Sequence, residues 1–354
     1  MADADRSRSS TRVGLLVNPA AGRDVRRLTG GASVVDNYAK RRVAECVLEG
    51  LTLADPPLEV VAMPDRTGIA RDAIETADES LATDILEMDL EGTAADTRTA
   101  ATRFRETVDA AVVLGGDGTT RDVAAEIGPV PVVAVSTGTN NVVPAPVDGT
   151  LAGAAAALVA SGAVPADEVT TRHGRVEAEV RSGTASGDGR RLTALASAEL
   201  SSRSFVGTRG LLDPADLRGG VVSRAHPGDV GLPAVAGALV DSPLAGDDPG
   251  GVAVRLEEPS GADRLVRAVV APGVLATVGI ESWRRLEPGE TATFDLADGV
   301  VGADGERELE ATDATVELRP IEDGPRLVDP LQTLEIGARN GGFDVGTRAS
   351  SGSE

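Results

Sequence analysis

Apolar and polar positions follow two different periods along the chain, and the change falls near residue 162. Before it, short apolar runs rich in Val and Leu predict buried strands, and stretches with helical spacing separate them. The predicted strands span residues 12–17, 58–62, 85–88, 112–114 and 131–135, and the predicted helices span 37–53, 65–82, 94–108, 119–127 and 150–160. Strands that alternate with helices form βαβ units, so this half predicts an α/β domain with a parallel sheet.

After residue 162 the pattern alternates with a period of two, which is typical of strands. The alternating segments are 169–180, 192–200, 268–278, 291–296 and 314–318, separated by Gly, Pro and Asp. Few helical periods occur here, so we expect an all-β C-terminal domain that is antiparallel and forms a sandwich or an irregular barrel. Residues 226–251 are rich in Gly and Pro and predict surface loops. A short helix is predicted to start near Pro330.

These patterns predict a division of the chain into five segments. The expected segments are a disordered N-terminus (1–11), an α/β nucleotide-binding domain (12–162), a β-sandwich-like domain (163–325), a C-terminal segment that packs back (326–340) and a tail (341–354). A chain of 354 residues is long enough for two domains.

The charge of the chain is strongly acidic. The 56 acidic residues outnumber the 34 basic ones, and the net charge is −22. Lys40 is the only lysine. A spread acidic surface with little Lys is typical of proteins from salt-loving archaea, where salt screens self-repulsion; an acidic protein from a GC-rich genome is the alternative. Either way, the charge disfavours nucleic acid and anionic membranes as partners.

The compartment follows from two further features. Cys46 is the only cysteine, which excludes an internal disulfide and a cysteine-clustered metal site. The N-terminus is polar, and no apolar run reaches the length of a membrane span. We therefore expect a cytoplasmic protein without stable membrane association.

The main candidate for chemistry is the stretch 112–120, in which an apolar strand runs into three glycines, Asp117 and two threonines. Glycines let the backbone approach an anion closely, and a helix N-terminus points free N–H groups at it. A carboxylate inside such a turn suits a metal, a sugar hydroxyl or a proton to be abstracted. The stretch predicts a nucleotide site; the alternative is an ordinary βα turn with glycines for packing.

Two more polar loops follow predicted strands, at residues 18–23 and 136–141. In an open parallel sheet, ligands bind at the carboxyl ends of the strands. The three loops are therefore expected to converge on one pocket.

Several common catalytic devices are absent from the sequence. There is no P-loop motif, no G-x-G-x-x-G fingerprint and no G-x-S-x-G, and His173 and His226 are isolated from each other. For both histidines we expect a surface or turn position. A glycine-cradled phosphate combined with carboxylates and Mg²⁺ is the equipment of phosphoryl transfer.

Four motifs resemble those of the NAD kinase and diacylglycerol kinase superfamily. They are N-P-x-x-G (18–22), G-G-D-G-T (115–119), G-T-x-N (138–141) and D-G-E (304–306). With F-V-G-x-R (205–209), the chain is most similar to the NAD kinase-like branch that includes acetoin catabolism protein X. The resemblance covers about residues 12–335 and implies a cytoplasmic kinase that phosphorylates NAD to NADP with ATP or polyphosphate and Mg²⁺. It also implies a homo-oligomer.

The resemblance assigns roles to individual positions. Asp117 would orient or activate the acceptor hydroxyl, or act through Mg²⁺, with no protein residue ligating the metal otherwise. Glu306 matches a general base in lipid kinases; a surface turn is the alternative. The residues implied in holding nucleotide phosphates are Asn18, Gly22, Gly115, Gly116, Gly118, Thr119, Gly138, Thr139 and Asn141.

One departure concerns the acceptor. NAD kinases carry an Asn-Glu pair early in the β domain, and the corresponding stretch here, 194–199, ends in Ala198 and Glu199. Two alternatives to NAD kinase activity therefore stay open. One is a kinase of a lipid or another small alcohol, and the other is a non-catalytic module that senses a nucleotide.

Overall fold

A computed structural model describes residues 10–21, 35–138, 141–182, 189–202 and 214–344. Gly22, Thr139, segment 205–209, nearly all of the N-terminal segment and most of the tail 341–354 lie outside the described residues. The described chain contains an α/β region and an antiparallel all-β region, which confirms the predicted fold class.

The first sheet has seven strands in the order β3-β2-β1-β4-β5-β16-β6. Their bounds are β1 Arg12–Val17, β2 Glu59–Ala62, β3 Ala82–Ile85, β4 Ala110–Gly115, β5 Val132–Ser136, β6 Thr170–Arg172 and β16 Arg326–Val328. Every pairing is parallel except that of β6 with β16. Since β1 and β4 lie at the centre, the loops at their carboxyl ends, after Val17 and Gly115, are neighbours.

Four of the eight α-helices of the described chain begin at side-chain caps. The bounds of all eight are α1 Asn37–Leu51, α2 Ile69–Ile74, α3 Ala94–Thr107, α4 Asp117–Ala124, α5 Gly149–Ala160, α6 Ala166–Val169, α7 Leu232–Gly237 and α8 Pro330–Arg339. Asp36, Thr93, Asp148 and Asp329 each accept a hydrogen bond from a first-turn amide. No described helix has the length and apolar character needed to span a membrane.

Three elements differ clearly from the sequence prediction. Strand β3 spans Ala82–Ile85 and not 85–88. Helix α2 is much shorter than the predicted 65–82. It starts late because the Asp65 carboxylate bonds to the amides of Thr67, Ile69 and Ala70 and holds that segment in a turn. Segment 226–251 contains the buried helix α7 rather than surface loops alone.

Helices α1 and α5 cross at glycines on one face of the first sheet. A Cβ on Gly50 would lie 2.1 Å from the carbonyl oxygen of Thr150, and one on Gly153 would lie 2.1 Å from that of Val47. Only glycine allows two backbones to approach so closely. The contact helps to bury an aliphatic core of Ala, Val and Leu, as the composition predicts.

The second sheet has nine antiparallel strands in the order β12-β13-β11-β10-β9-β14-β15-β7-β8. Their bounds are β7 Arg175–Ser182, β8 Arg190–Ala194, β9 Ser197–Ser201, β10 Leu217–Val222, β11 Gly251–Glu257, β12 Arg264–Ala271, β13 Val274–Leu286, β14 Ala292–Ala303 and β15 Glu306–Ile321. These strands form one continuous hydrogen-bonded sheet whose buried apolar residues fall into two clusters. Whether the sheet packs as a sandwich or as an irregular barrel stays a prediction. Alternation identifies strands but not their partners.

The junction between the sheets lies later than the predicted boundary at 162/163. Strand β6 still belongs to the first sheet, so the chain enters the second sheet at His173 and Gly174. It returns with β16, which pairs with β5. Helix α8 follows β16 and packs on α5, where a Cβ on Gly337 would lie 2.5 Å from a Leu158 methyl carbon.

Candidate functional site

The glycine loop after β4 leads directly into α4. Gly115 ends the strand, Gly116 is the N-cap residue, and the helix begins at Asp117. A Cβ on Gly115 would lie 2.5 Å from that of Thr119, and one on Gly116 would lie 2.8 Å from Asn141 Oδ1. Side chains larger than glycine therefore do not fit, and the first turn of α4 presents its backbone N–H groups at this end of the sheet.

Asn18, directly after β1, links the first loop to the glycine loop. Its backbone N–H donates to the Leu114 carbonyl over 3.0 Å, and its Nδ2 donates to Thr119 Oγ1 over 2.7 Å. Its Oδ1 accepts from the Ala20 amide over 2.8 Å. The two strand-end loops thus form one connected unit.

Lys40 supports the loop after β1 from helix α1. The side chain is buried on α1, and its Nζ donates to the carbonyl oxygens of Pro19 (2.8 Å) and Ala21 (2.6 Å). The sequence pattern did not predict this role. The only signal was that Lys40 is the sole lysine of a chain that otherwise uses arginine.

The loop after β5 completes the cluster. Asn141 Nδ2 donates to Ser136 Oγ over 2.5 Å. A Cβ on Gly138 would lie 2.6 Å from Asn141 Oδ1 and 2.9 Å from the Gly116 Cα. The loops after β1, β4 and β5 are therefore in contact, as the sheet topology requires.

Asp117 is buried and aims its carboxylate at the loop after β5. Its oxygens accept from the backbone amides of Val142 (2.8 Å) and Val143 (2.8 Å). The side chain consequently holds this loop on the N-terminus of α4. Its assigned role toward an acceptor hydroxyl stays a prediction.

Glu306 reaches the glycine loop from the second sheet. It follows the two-residue turn Asp304–Gly305 that joins β14 and β15, and both turn residues have positive φ, 53° and 79°. Asp-Gly suits such a type I′ turn. A Cβ on Gly118 would lie 3.4 Å from Glu306 Oε2, so the carboxylate faces the first turn of α4.

Arg121 ties α4 to the same turn. Its Nη1 donates to the Ala303 carbonyl over 2.9 Å, and its Nη2 donates to Glu308 Oε1 over 2.7 Å. The carboxylates of Asp304 and Glu306 lie 3.5 and 4.0 Å away. Burial lowers the pKa of Arg121, but these carboxylates more than compensate, and the net shift is upward. Arg121 therefore stays charged.

Two buried acids, one in the turn and one on β9, hold the turn in place. The Asp304 carboxylate accepts from the amides of Leu195, Ala196 and Ser197. Glu199 accepts from the Gly305 amide through Oε1. Burial and the neighbouring Asp304 raise the pKa of Glu199 to about 8.

Comparison with known proteins places this site in a family. The family model of the ATP-NAD kinase N-terminal domain matches residues 13–163, and that of the acetoin catabolism protein X C-terminal domain matches residues 177–323. Acetoin catabolism protein X of Cupriavidus necator is 35% identical over 305 residues, which is 84% of each chain. The chain belongs to the acetoin catabolism protein X family. The predicted resemblance to the NAD kinase-like superfamily is thereby confirmed.

Two kinases are among the solved structures that the comparison matched. Yeast NADH kinase complexed with NADH is 14% identical, with a TM-score of 0.48 and coverage of 98% of this chain and 91% of that one. A diacylglycerol kinase from Bacillus anthracis str. Sterne is 15% identical, with a TM-score of 0.37 and coverage of 91% and 98%.

The site of this family member brings the predicted residues together. Those that the structure describes at one end of the first sheet are Asn18, Gly115, Gly116, Asp117, Gly118, Thr119, Gly138, Asn141 and Glu306. Gly22 and Thr139 lie outside the described residues. The roles of all eleven positions stay predictions.

The side chains of the site bear on whether Mg²⁺ fits there. Within the described ranges, no three His, Cys, Asp or Glu side chains are placed to hold a metal ion, and the Asp117 oxygens already accept two backbone amides. Mg²⁺ commonly binds through substrate phosphates, water and at most one or two carboxylates, and its binding here stays a prediction.

The two histidines occupy different environments. His226 is exposed in a turn, as predicted, and its Nδ1 accepts from the Gly228 amide. His173 is buried at the junction of the sheets, contrary to the prediction. Its Nδ1 donates to the Gly174 carbonyl, and burial lowers the pKa of His173. Its position is structural, because the Nε2 lies against the Gly246 backbone.

A pocket of about 330 Å³ opens beside α4, between the two sheets. Its arginines are Arg98, Arg121, Arg175 and Arg191. Each has a carboxylate within 3.4 Å, so the pocket is charge-balanced rather than an anion site.

Proposed function

We propose that this protein is an ATP-dependent phosphotransferase that phosphorylates the 2′-hydroxyl of the adenosine ribose of NAD, yielding NADP. The observation that carries the proposal is the position of Glu306. A carboxylate from the second sheet faces Gly118, where the glycine loop and the loops at Asn18 and Asn141 meet. The superfamily assignment supports a kinase.

The first turn of α4 would bind the donor phosphates. The helix begins at the carboxyl edge of a parallel sheet. Its N-cap residue, Gly116, has no side chain to accept from the first N–H groups of the helix, and these groups point toward that edge. Such groups and the helix dipole favour phosphate. Polyphosphate would serve the same site as an alternative donor, since it offers the same anionic oxygens.

The two carboxylates would have separate tasks. Glu306 would accept the proton of the acceptor hydroxyl, whose oxygen then bonds to the γ-phosphorus while the bond to the β–γ bridging oxygen breaks and ADP leaves. Asp117 would keep the loop at Val142 and Val143 in place beside the reacting groups. Mg²⁺ bound to ATP would neutralise charge on the phosphates.

One observation favours a second acceptor class. Glu199 stands where an Asn-Glu pair would grip the dinucleotide, but it is buried and its Oε1 accepts from Gly305. A small alcohol is therefore the second candidate acceptor. The hydroxyketone in the relative's name, acetoin, is the first such compound to test, followed by a diacylglycerol.

The test is an assay of the purified protein in high KCl with Mg²⁺ and ATP. NADP formation from NAD is scored with a coupled dehydrogenase, and parallel reactions with acetoin or diacylglycerol are scored with radiolabelled ATP. We expect NADP with the wild type and none with Glu306→Gln. Product from acetoin or diacylglycerol but not from NAD would show that the acceptor is that alcohol. Nucleotide binding without turnover on any acceptor would favour the sensing alternative.

A further inference from the structure

Two acids fasten the D-G-E turn to the neighbouring β9 and the segment before it. Asp304, in the turn, accepts from the amides of Leu195, Ala196 and Ser197, over 2.7–3.2 Å. In return, Glu199 on β9 accepts from the amide of Gly305. The turn is thus fastened to β9 at both of its central residues.

This turn determines where Glu306 lies. Asp304 has a φ of 53°, which lies in the left-handed region that favours glycine, so this conformation needs support from its surroundings. Glu306 is the next residue after Gly305, so a change in the turn moves its backbone directly. Its contact with Gly118 therefore depends on the bonds beneath the turn.

The surroundings of Glu199 are unusual for a carboxyl group. It is only 3% exposed, and the residues that pair with it across the sheet are Gly220 and Gly302, which have no side chains. Among the described groups, its Oε2 has no hydrogen-bond partner. An ionised carboxylate in such a place is costly, whereas a neutral acid is tolerated.

The charges that face Glu199 favour the same state. Asp304 of the turn is negative, and Arg121 of α4 is positive but shared with Glu306 and Glu308. Burial and Asp304 raise the pKa of Glu199 to about 8. The Gly305 amide, Ser197 and Arg121 lower this pKa, but by less. At neutral pH most molecules carry the neutral acid.

We infer that Glu199 is a positioning residue for the site: its neutral carboxyl group holds the Gly305 amide and thereby keeps Glu306 over Gly118. The kinetic consequence rests on the proposed function, whereas the hydrogen bond can be tested without it. Glutamine reproduces a neutral glutamic acid in shape and keeps a carbonyl acceptor. Leucine keeps the approximate volume and removes the acceptor.

The kinetic test compares Glu199→Gln with Glu199→Leu. At pH 7 we expect the Gln variant to keep kcat within about threefold of wild type, and the Leu variant to lose at least about tenfold in kcat with little change in the KM for ATP. Above pH 8 an ionised Glu199 would repel the Asp304 carboxylate and disturb the turn, so the wild-type kcat should fall while that of the Gln variant does not. A Leu variant with wild-type kcat, or a Gln variant as impaired as Leu, would overturn the inference.

A second readout does not need activity. In protein labelled with ¹⁵N-glycine, one amide resonance of the wild type should shift with a midpoint near pH 8 and become pH-independent in Glu199→Gln. Absence of such a signal refutes the inference even in an active kinase. Its presence without phosphoryl transfer to any acceptor refutes the proposed function and leaves the Glu199 contact standing. Should the Leu variant not fold, the Gln variant and these spectra still decide.

Discussion

Arg121 Nη2 and Glu308 Oε1 lie 2.7 Å apart and join the two halves of the molecule at the candidate site. Arg121 comes two residues after the G-G-D-G-T loop, and Glu308 comes two residues after Glu306. The pair therefore couples the position of the glycine loop to that of Glu306, the predicted base. Movement of one sheet relative to the other would separate Arg121 from Glu308, and Glu306 from the glycine loop.

The first prediction concerns this clamp. Arg121→Met leaves Asp304 and Glu308 without their cation in a buried place, so the free energy of unfolding should fall by about 3–5 kcal/mol. The control is Arg98→Met, because the Arg98 side chain is 53% exposed and its pair with Asp122 is worth about 0–1 kcal/mol. Urea unfolding measures both changes, and equal losses in the two variants would contradict the role of the clamp.

The second prediction concerns Asp117. Asparagine has one acceptor oxygen, and its NH₂ group would face a backbone donor, so Asp117→Asn should cost about 1–3 kcal/mol of stability while the fold is kept. Turnover should fall by about a hundredfold or more if the loop at Val142 has to be held for transfer. Asp122→Asn on the same helix is the control, and near-normal turnover of Asp117→Asn would contradict the assignment.

The third prediction is a pH dependence of stability. The pKa of Glu199 rises from 4.5 to about 8 on folding, so the folded state binds the extra proton between these values. Stability from this group is therefore present below pH 4.5 and declines as pH rises to about 8. Glu199→Gln cannot ionise, so its melting temperature should exceed that of the wild type more at pH 8 than at pH 5. Parallel melting curves at both pH values would argue against a neutral Glu199.

The fourth prediction concerns salt. A net charge of −22 repels itself, and molar KCl screens this repulsion. The melting temperature should rise steeply between low salt and about 2 M KCl, at which the Debye length is only a few ångströms. Sucrose at matched water activity is the control, since it stabilises without screening. Equal melting temperatures in low and high KCl would refute a salt requirement.

Much of the first domain could be predicted because its signals are local. The apolar run at 12–17 predicts β1 with its observed bounds, and Asp36 and Thr93 cap the helices that they precede. The prediction for helix α2 is too long because the Asp65 side chain competes with helical hydrogen bonding. Local spacing does not reveal such competition.

Some features of the site were likewise visible in the residues and others were not. Glycine loops after strands predicted the end of the sheet at which the candidate residues meet, because a βα turn of this kind is built from neighbouring residues. The burial of Lys40 and the contact of Glu199 with Gly305 were not predictable, since each joins segments separated by 19–21 and 106 residues. Sequence spacing does not encode such distances.

The local sequence determined the βαβ units of the first half, the alternating strands of the second and the glycine loop after β4, because each depends on neighbouring side chains. Tertiary structure decided that nine strands form one sheet, that β16 returns to the first sheet, and that Glu306 faces Gly118. The reason is physical: strand pairing and burial are set by which distant surfaces exclude water together, and a carboxyl group such as Glu199 takes its protonation state from that environment.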